Sequence, residues 1–237
     1  MDNKKIIEER DRILTVLRGK TGRFYLAGGT ALSLYYFHHR ESYDIDLFTK
    51  EFSKTLVEEI VSHISNSIEK KGVLDREQEQ KDKVQVMVYL FRIDEENVIK
   101  IDFVEDAYRL IKPPKSVDGI PVLSIEDIYI RKIYAACGSA SREDDVGRKM
   151  FIGGRQTARD FFDLYYLSKT FMPLSKFAFQ YCNEPQLESI VVWYRRYDRM
   201  SMMDDLLEIT TDKIVDYREM ERHFKKEIES IIRGETE

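Results

Sequence analysis

The chain of 237 residues has few cysteines and few prolines: Cys137, Cys182 and five prolines in all. The two cysteines form no metal-spaced pair, which argues against a disulfide framework and against a zinc site. A reducing cytoplasm fits that scarcity. No stretch approaches the ~20 apolar residues of a membrane-spanning helix, and the opening MDNKKIIEER lacks the apolar core of a signal peptide. A charge excess is also missing, since 38 Lys and Arg against 43 Asp and Glu leave a net charge of −5. That balance argues against a general nucleic-acid coat protein and leaves room for a local basic face. Internal repeats and low-complexity tracts are absent. What is present is a hydrophobic fraction of 43% beside 34% charged residues, the composition of a folded chain with a substantial core.

Periodicity divides the chain into two halves. Residues 4–18 read as an amphipathic helix with Ile6, Ile13, Leu14 and Leu17 on one face. A buried strand at 24–27 leads into a Gly28-Gly29 turn, a mostly apolar helix from Thr30 to Phe37, and a strand at 44–48. Leu56, Ile60, Ile64 and Ile68 form the stripe of a helix over 52–70. Strands follow at 83–91 and 97–104. The prolines of KPPKS (112–116) interrupt regular structure. Beyond them a short strand, GIPVLS, precedes Ser124-Ile125-Glu126-Asp127, a capping-box-like helix start, and the remainder reads as helical. Strands and then helices in series predict an α+β half, residues 1–116, followed by a mainly helical half, residues 117–237.

The chemistry concentrates between Phe24 and Lys50. On a strand, Asp44 and Asp46 point to one face while Ile45 and Leu47 point to the other. Two carboxylates ~4 Å apart repel by roughly 4 kcal/mol in an intermediate dielectric, and a cation between them reverses that sign. Hard oxygen ligands suit Mg²⁺, which also binds substrate phosphates. Asp102, between Ile101 and Phe103, completes a three-acid cluster if its strand lies beside the first. Such a cluster can hold metal ions and activate a hydroxyl for in-line attack on phosphorus. Gly28 and Gly29 let backbone N–H groups approach a phosphate, Thr30 adds a hydroxyl, and the helix that follows presents its positive end. Together these parts meet the demands of phosphoryl transfer.

The segment YLAGGTAL…HHRESYDIDLF resembles the nucleotidyltransferase superfamily, whose pattern is a Gly-Gly or Gly-Ser turn, a helix and then D-x-D. More closely it is similar to the AbiEii-type toxins, the nucleotidyltransferase half of type IV toxin–antitoxin and abortive-infection systems. The matching residues are Gly28, Gly29, Thr30, Leu32, His39, Arg40, Ser42, Asp44, Asp46, Leu47 and Phe48. Two later blocks of the pattern also occur in order: Lys132 in SIEDIYIRKIYAA, and Arg159-Asp160-Phe161-Phe162-Asp163-Leu164. The resemblance spans about residues 24 to 168, and the last seventy residues resemble nothing further. It implies a polymerase-beta-like mixed-sheet core followed by a helical C-terminal domain. It also implies Mg²⁺ or Mn²⁺ at Asp44, Asp46 and Asp102, an NTP substrate on Gly28, Gly29 and Thr30, and catalytic roles for Lys132 and Asp160. The acceptor it implies is RNA, tRNA in some members, and the partner a winged-helix antitoxin. The alternatives are a small-molecule transferase of the antibiotic-adenylylating kind and a catalytically silent nucleotide-binding protein.

Several residues admit two readings. Lys132 interrupts the apolar stripe of Ile125, Ile128 and Ala136, so its ammonium needs an anion, either Asp160 or a nucleotide phosphate; otherwise it snorkels to solvent. Asp163 reads as an ordinary i,i+4 helix partner of Arg159. His38 and His39 point about 100° apart on a helix and cannot readily share a metal ion; they read as helix-end residues, with Arg40 the better phosphate contact. The polar stretch 141–160, with Arg142, Arg148, Lys149 and Arg155, reads as a solvated connection or a mobile loop over the substrate. In WYRRYDRM (193–200), Leu187, Ile190, Val191, Tyr194 and Tyr197 are expected in the core. Trp193, Arg195, Arg196 and Arg199 are expected outside as a weak RNA-contacting surface.

Overall fold

A computed structural model describes residues 3–80, 83–138, 140–143, 149–152 and 154–234. The chain divides into two compact units, one of residues 1–38 and 42–127, the other of residues 39–41 and 128–237. The sequence reading puts its change of character near residue 116; the division by contacts falls after Asp127, within a helix.

The first unit is built on a seven-stranded mixed sheet. Its strands are β1 (Tyr25–Leu26), β2 (Ile45–Thr49), β3 (Gly72–Gln78), β4 (Val86–Arg92), β5 (Val98–Glu105), β6 (Lys115–Val117) and β7 (Ile120–Val122), in the order β3-β4-β5-β2-β1-β7-β6. β2 runs parallel to β5 and β1 parallel to β7, and the other neighbours are antiparallel. Helix α1 (Asn3–Val16) packs on α3 (Lys54–Ile68) and on β5, and α3 packs on β3. The alternation along β2 and β5 sends Ile45, Leu47, Ile101 and Phe103 into the core, where they are fully buried, and leaves Asp46 and Asp102 on the other face. Phe103 meets the edges of Phe24 and Tyr89.

Between β1 and β2 the chain forms helix α2 (Gly28–Leu32), which continues as a π-helical turn, Ser33–Phe37. The glycine pair is thus the start of the helix itself and not a separate turn. His38, at φ 48°, ends this helix in the left-handed conformation, which matches the expected helix-end role. Two strands escape the periodicity reading. β3 is an edge strand whose residues, Val73 and Leu74 among them, are largely exposed, and so it carries no alternation, and β6 starts immediately after the proline pair.

The second unit contains most of α4 (Ile125–Cys137), then β8 (Ala140–Glu143), β9 (Lys149–Ile152), α5 (Ala158–Tyr166), α6 (Leu174–Tyr181), α7 (Glu184–Arg196), α8 (Arg199–Leu206) and α9 (Tyr217–Arg233). β8 and β9 pair antiparallel. The stretch expected as a plain connection therefore contains a two-stranded ribbon, while Arg148 lies outside the described residues. Phe161, Trp193, Tyr197 and Phe224 form an aromatic core, with Phe161 and Phe224 ring centroids 4.7 Å apart. This corrects the expectation for Trp193, which is 5% exposed: a large ring at that position gains more from burial than from forming a surface. Arg195, Arg196 and Arg199 are exposed as expected, whereas Leu187 and Val191 are only half-buried.

Candidate active site

In the first unit the parallel pairing sets Asp46 directly opposite Asp102. Ile45 faces Ile101, so the residues one step back, Asp44 and Lys100, also lie side by side. The result is a square of polar side chains on one face of the sheet: Asp46 and Asp102 in one row, Asp44 and Lys100 in the next. Lys100 Nζ donates to Asp102 Oδ2 at 2.7 Å and lies 3.9 Å from Asp44 Oδ2. Burial works against the charged form of Lys100, but the hydrogen bond to Asp102 and the charges of Asp44, Asp102 and Asp46 raise its pKa. The other oxygen of Asp102, Oδ1, is buried without a hydrogen-bond partner.

The glycine start of α2 lies against this square. Gly28 has φ +66°, and a Cβ there would fall 1.9 Å from Asp46 Oδ2. No side chain fits between backbone and carboxylate, so a glycine is required on both conformational and steric grounds. Ala27 N–H donates to the Asp46 carbonyl at 2.9 Å. Thr30 is fully buried. Its hydroxyl donates to the Asp44 carbonyl and contacts Ser42 Oγ at 2.9 Å. It therefore ties α2 to the chain entering β2.

Among the described residues no three His, Cys, Asp or Glu side chains form a ready-made metal cluster. The expected convergence of three acids takes the form of an acid pair with the third acid one row away, because Lys100 fills the fourth corner and compensates their charge. The donor chemistry nevertheless fits a hard divalent cation: all the acids offer oxygen, and Asp102 Oδ1 is an orphaned acceptor. A shallow cavity of about 300 Å³ elsewhere in this unit is lined by Arg23, Tyr25, Thr49 and Lys50 among others; none of the candidate residues lines it.

The other expected residues form a network within the second unit. Lys132 is buried, with Nζ 2.8 Å from Asp160 Oδ1 and 2.7 Å from Asp163 Oδ2. The ammonium thus has the anion its position requires, and it does not snorkel to solvent. Asp160 also accepts from Arg155 Nε at 2.6 Å and from the Thr157 hydroxyl at 2.9 Å. Arg40 is placed inside this network with its guanidinium forked on Asp163, Nε and Nη2 at 2.7 and 2.8 Å. His39 Nε2 is 2.7 Å from the same carboxylate, and its ring stacks on Phe162. Asp163 is therefore a fully buried hub and not the surface partner of Arg159. Burial would raise its pKa; the opposing charges of Lys132 and Arg40, with hydrogen bonds from His39 and Arg40, hold it well below the usual carboxylate range. Asp160 is lowered in the same way, with Lys132 and Arg155 outweighing burial. His39 is lowered by burial, which outweighs its contact with Asp163.

Sequence reasoning missed Lys100 and read Asp163 as a helix partner of Arg159. Lys100 sits two positions before Asp102 on the same strand face, a spacing that could have exposed it. Asp163 sits one turn after Asp160 and gave no signal of its long-range partners.

A mixed sheet that sets D-x-D beside a third acid, with a Gly-Gly helix start abutting the pair, defines a nucleotidyltransferase fold. Two crystal structures share the architecture. JHP933 of Helicobacter pylori is 17% identical with a TM-score of 0.58, over 95% of this chain and 91% of that chain. A second H. pylori protein, provisionally described as a nucleotidyltransferase, is 17% identical with a TM-score of 0.58, over 96% and 97%. At such identity the likeness shows the fold. No curated protein matches the chain. The family model for the nucleotidyl transferase AbiEii toxin of type IV toxin–antitoxin systems matches residues 12–237, and the chain belongs to that family. The match includes the last seventy residues, which had resembled nothing in the sequence. The protein is a nucleotidyltransferase, and among its described residues no helix is long and apolar enough to cross a membrane.

Proposed function

We propose that this enzyme moves a nucleoside monophosphate from an NTP to a hydroxyl of RNA, tRNA included, as the toxin of a type IV pair. The observation that carries the reading is the square on β2 and β5, with Asp46 against Gly28 and Asp102 Oδ1 unpartnered. Asp46 and Asp102, with Asp44 beside them, would hold Mg²⁺ or Mn²⁺. When bound, the ion would neutralise triphosphate charge and favour ionisation of the acceptor hydroxyl. Gly28 and Gly29 keep side chains out of the space where the triphosphate approaches backbone N–H groups. Thr30 acts from beneath, fixing the entry to β2. In the transfer itself the acceptor oxygen bonds to the α-phosphorus, the bond to the bridging oxygen breaks, and pyrophosphate departs with that electron pair. In this reading Asp102 completes the metal site or accepts the hydroxyl proton.

Lys132 and Asp160, to which the resemblance gives catalytic roles, and Arg40, read as a phosphate contact, have their charges engaged with Asp163, Arg155 and one another. We assign them a supporting role in which they hold the second unit in its active form. A winged-helix antitoxin is the expected counterpart, and the cytoplasm, where NTP and RNA occur together, is the expected site of action.

The test incubates each labelled NTP with Mg²⁺ and total RNA, and in parallel with aminoglycosides. Label should enter RNA and not the aminoglycosides. Asp44→Asn and Asp46→Asn should each lower transfer by about 10³-fold or more, the loss of several kcal/mol of transition-state stabilisation. Retained transfer in both variants defeats the mechanism. Transfer to aminoglycosides alone makes the enzyme a small-molecule transferase, and NTP binding without pyrophosphate release makes it a silent nucleotide binder.

A further inference from the structure

We infer that Lys100 is a resident counter-charge of the acid square. It holds Asp102 in place and restrains divalent-ion binding when no nucleotide is present. The inference rests on the metal-site reading above and adds a residue to it.

Strand geometry leaves Lys100 little choice of partner. Residues 100 and 102 share a face of β5, and the parallel register brings Asp44 beside Lys100 and Asp46 beside Asp102. On the other side, β4 sets Leu90 opposite Lys100 and Val88 opposite Asp102, so no competing anion comes from that strand. The ammonium therefore turns to the acids, 2.7 Å from Asp102 and 3.9 Å from Asp44. Three carboxylates on adjacent strands would repel one another, and one resident ammonium reduces the local charge from three negatives to two. Its hydrogen bond is to Oδ2 of Asp102, and Oδ1 is buried without a hydrogen-bond partner. Lys100 thus both orients the carboxylate and competes with any cation for it. An ion that arrives together with an anionic triphosphate meets a site whose lysine is attractive to the incoming phosphate. An ion that arrives alone meets only the competition. Lys100 is accordingly a positioning residue whose charge favours joint loading of ion and nucleotide.

The experiment measures Mn²⁺ binding by the electron paramagnetic resonance signal of the free ion, with and without a non-hydrolysable NTP analogue. The proteins are the unaltered chain, Lys100→Met, Lys100→Gln, Lys100→Arg and Asp102→Asn. Without nucleotide, Lys100→Met and Lys100→Gln should bind Mn²⁺ about fivefold tighter than the unaltered protein, with Lys100→Arg unchanged, a shift on the scale of one exposed charge pair. With the analogue present, the gain should vanish or reverse. Thermal melts supply a second readout that survives poor expression of one variant. In chelator Lys100→Met should melt below the unaltered protein, and Mn²⁺ should raise its melting temperature more. Equal or weaker Mn²⁺ binding in both neutral variants overturns the role of Lys100, while loss of binding in Asp102→Asn keeps the metal site. If the unaltered protein binds no Mn²⁺ even with the analogue, the metal site and this inference fall together.

Discussion

Gly28 and Asp163 are the positions where single atoms carry the most consequence. At Gly28 the backbone is left-handed, and the nearest atom to an added Cβ is a carboxylate oxygen of Asp46, 1.9 Å away. Gly28→Ala must therefore strain the backbone by about 1 kcal/mol and displace the carboxylate. We expect transfer to fall about 100-fold or more while the melting temperature drops by only a few degrees, since 1 kcal/mol corresponds to ~2–4 °C in a chain of this size. Full activity in this variant would mean that Asp46 has no required position. Asp163 presents the opposite balance. It pairs with both Lys132 and Arg40 in a fully buried setting, and its removal leaves buried positive charge uncompensated, at a cost of about 3–5 kcal/mol. Lys132→Met leaves Arg40 and His39 on the same carboxylate, so a smaller loss is expected, about 1–2 kcal/mol. Urea denaturation of Asp163→Asn and Lys132→Met should rank them in that order; the reverse order would show that Lys132, and not Asp163, is the hub.

The elements differ in how legible they were from sequence, for physical reasons. β2 and β5 were readable because a two-residue alternation is a local property, and with one apolar face buried it fixes which side the acids take. α3 was readable from its apolar stripe, and its Ser53 cap follows the rule for helix starts. β3 was not, since an edge strand with exposed side chains has no pattern to show. The ribbon of β8 and β9 depends on a return of the chain, not on local sequence. After β9, Gly154, at φ +83°, lets the chain pass within contact of the Ala136 carbonyl and the Gly138 amide at the end of α4. The acids and the spacing of Lys100 from Asp102 on one strand face were visible, but the approach of Lys100 to Asp44 was not, because register between β2 and β5 is set by packing across the sheet. Thr30 illustrates the same limit. Its hydroxyl looked like a phosphate ligand beside two glycines, yet it is buried and bonded to Ser42 and Asp44, tying α2 to β2. Thr30→Val keeps the shape and removes the hydroxyl, leaving buried acceptors unsatisfied at a cost of about 1–3 kcal/mol. It should lower transfer about tenfold by loosening Asp44 and Asp46, and Thr30→Ser should restore most of both. A Thr30→Val enzyme of normal stability with a raised KM for NTP would instead return Thr30 to the phosphate.

For the molecule as a whole, the buried titratable groups of the second unit predict how stability depends on pH. His39 faces Asp163, Arg40 and Lys132, and burial keeps its pKa below the ordinary histidine value. His223 is lowered as well, again chiefly by burial, with its Nε2 2.7 Å from Ser168 Oγ. A histidine with a lowered pKa in the fold takes up its proton more readily when unfolded. Its stabilising contribution is complete above the unfolded value of about 6.5 and declines as pH falls below it. Asp160 and Asp163 are lowered too, so their contribution is complete above about pH 4 and is lost as pH falls through their folded values. Unfolding free energy should therefore be nearly level from pH 8 to 7. It should then fall by up to about 1.4 kcal/mol per pH unit for each histidine below 6.5, and fall more steeply below 4. His39→Gln can still donate to Asp163 and no longer titrates, so it should remove about half of the decline between pH 6.5 and 5. Thermal melts across that range read the effect directly. A melting temperature that does not change from pH 7 to 5 would mean that neither ring is held neutral by burial, and one that rises as pH falls would mean that the network around Asp163 favours a charged imidazolium.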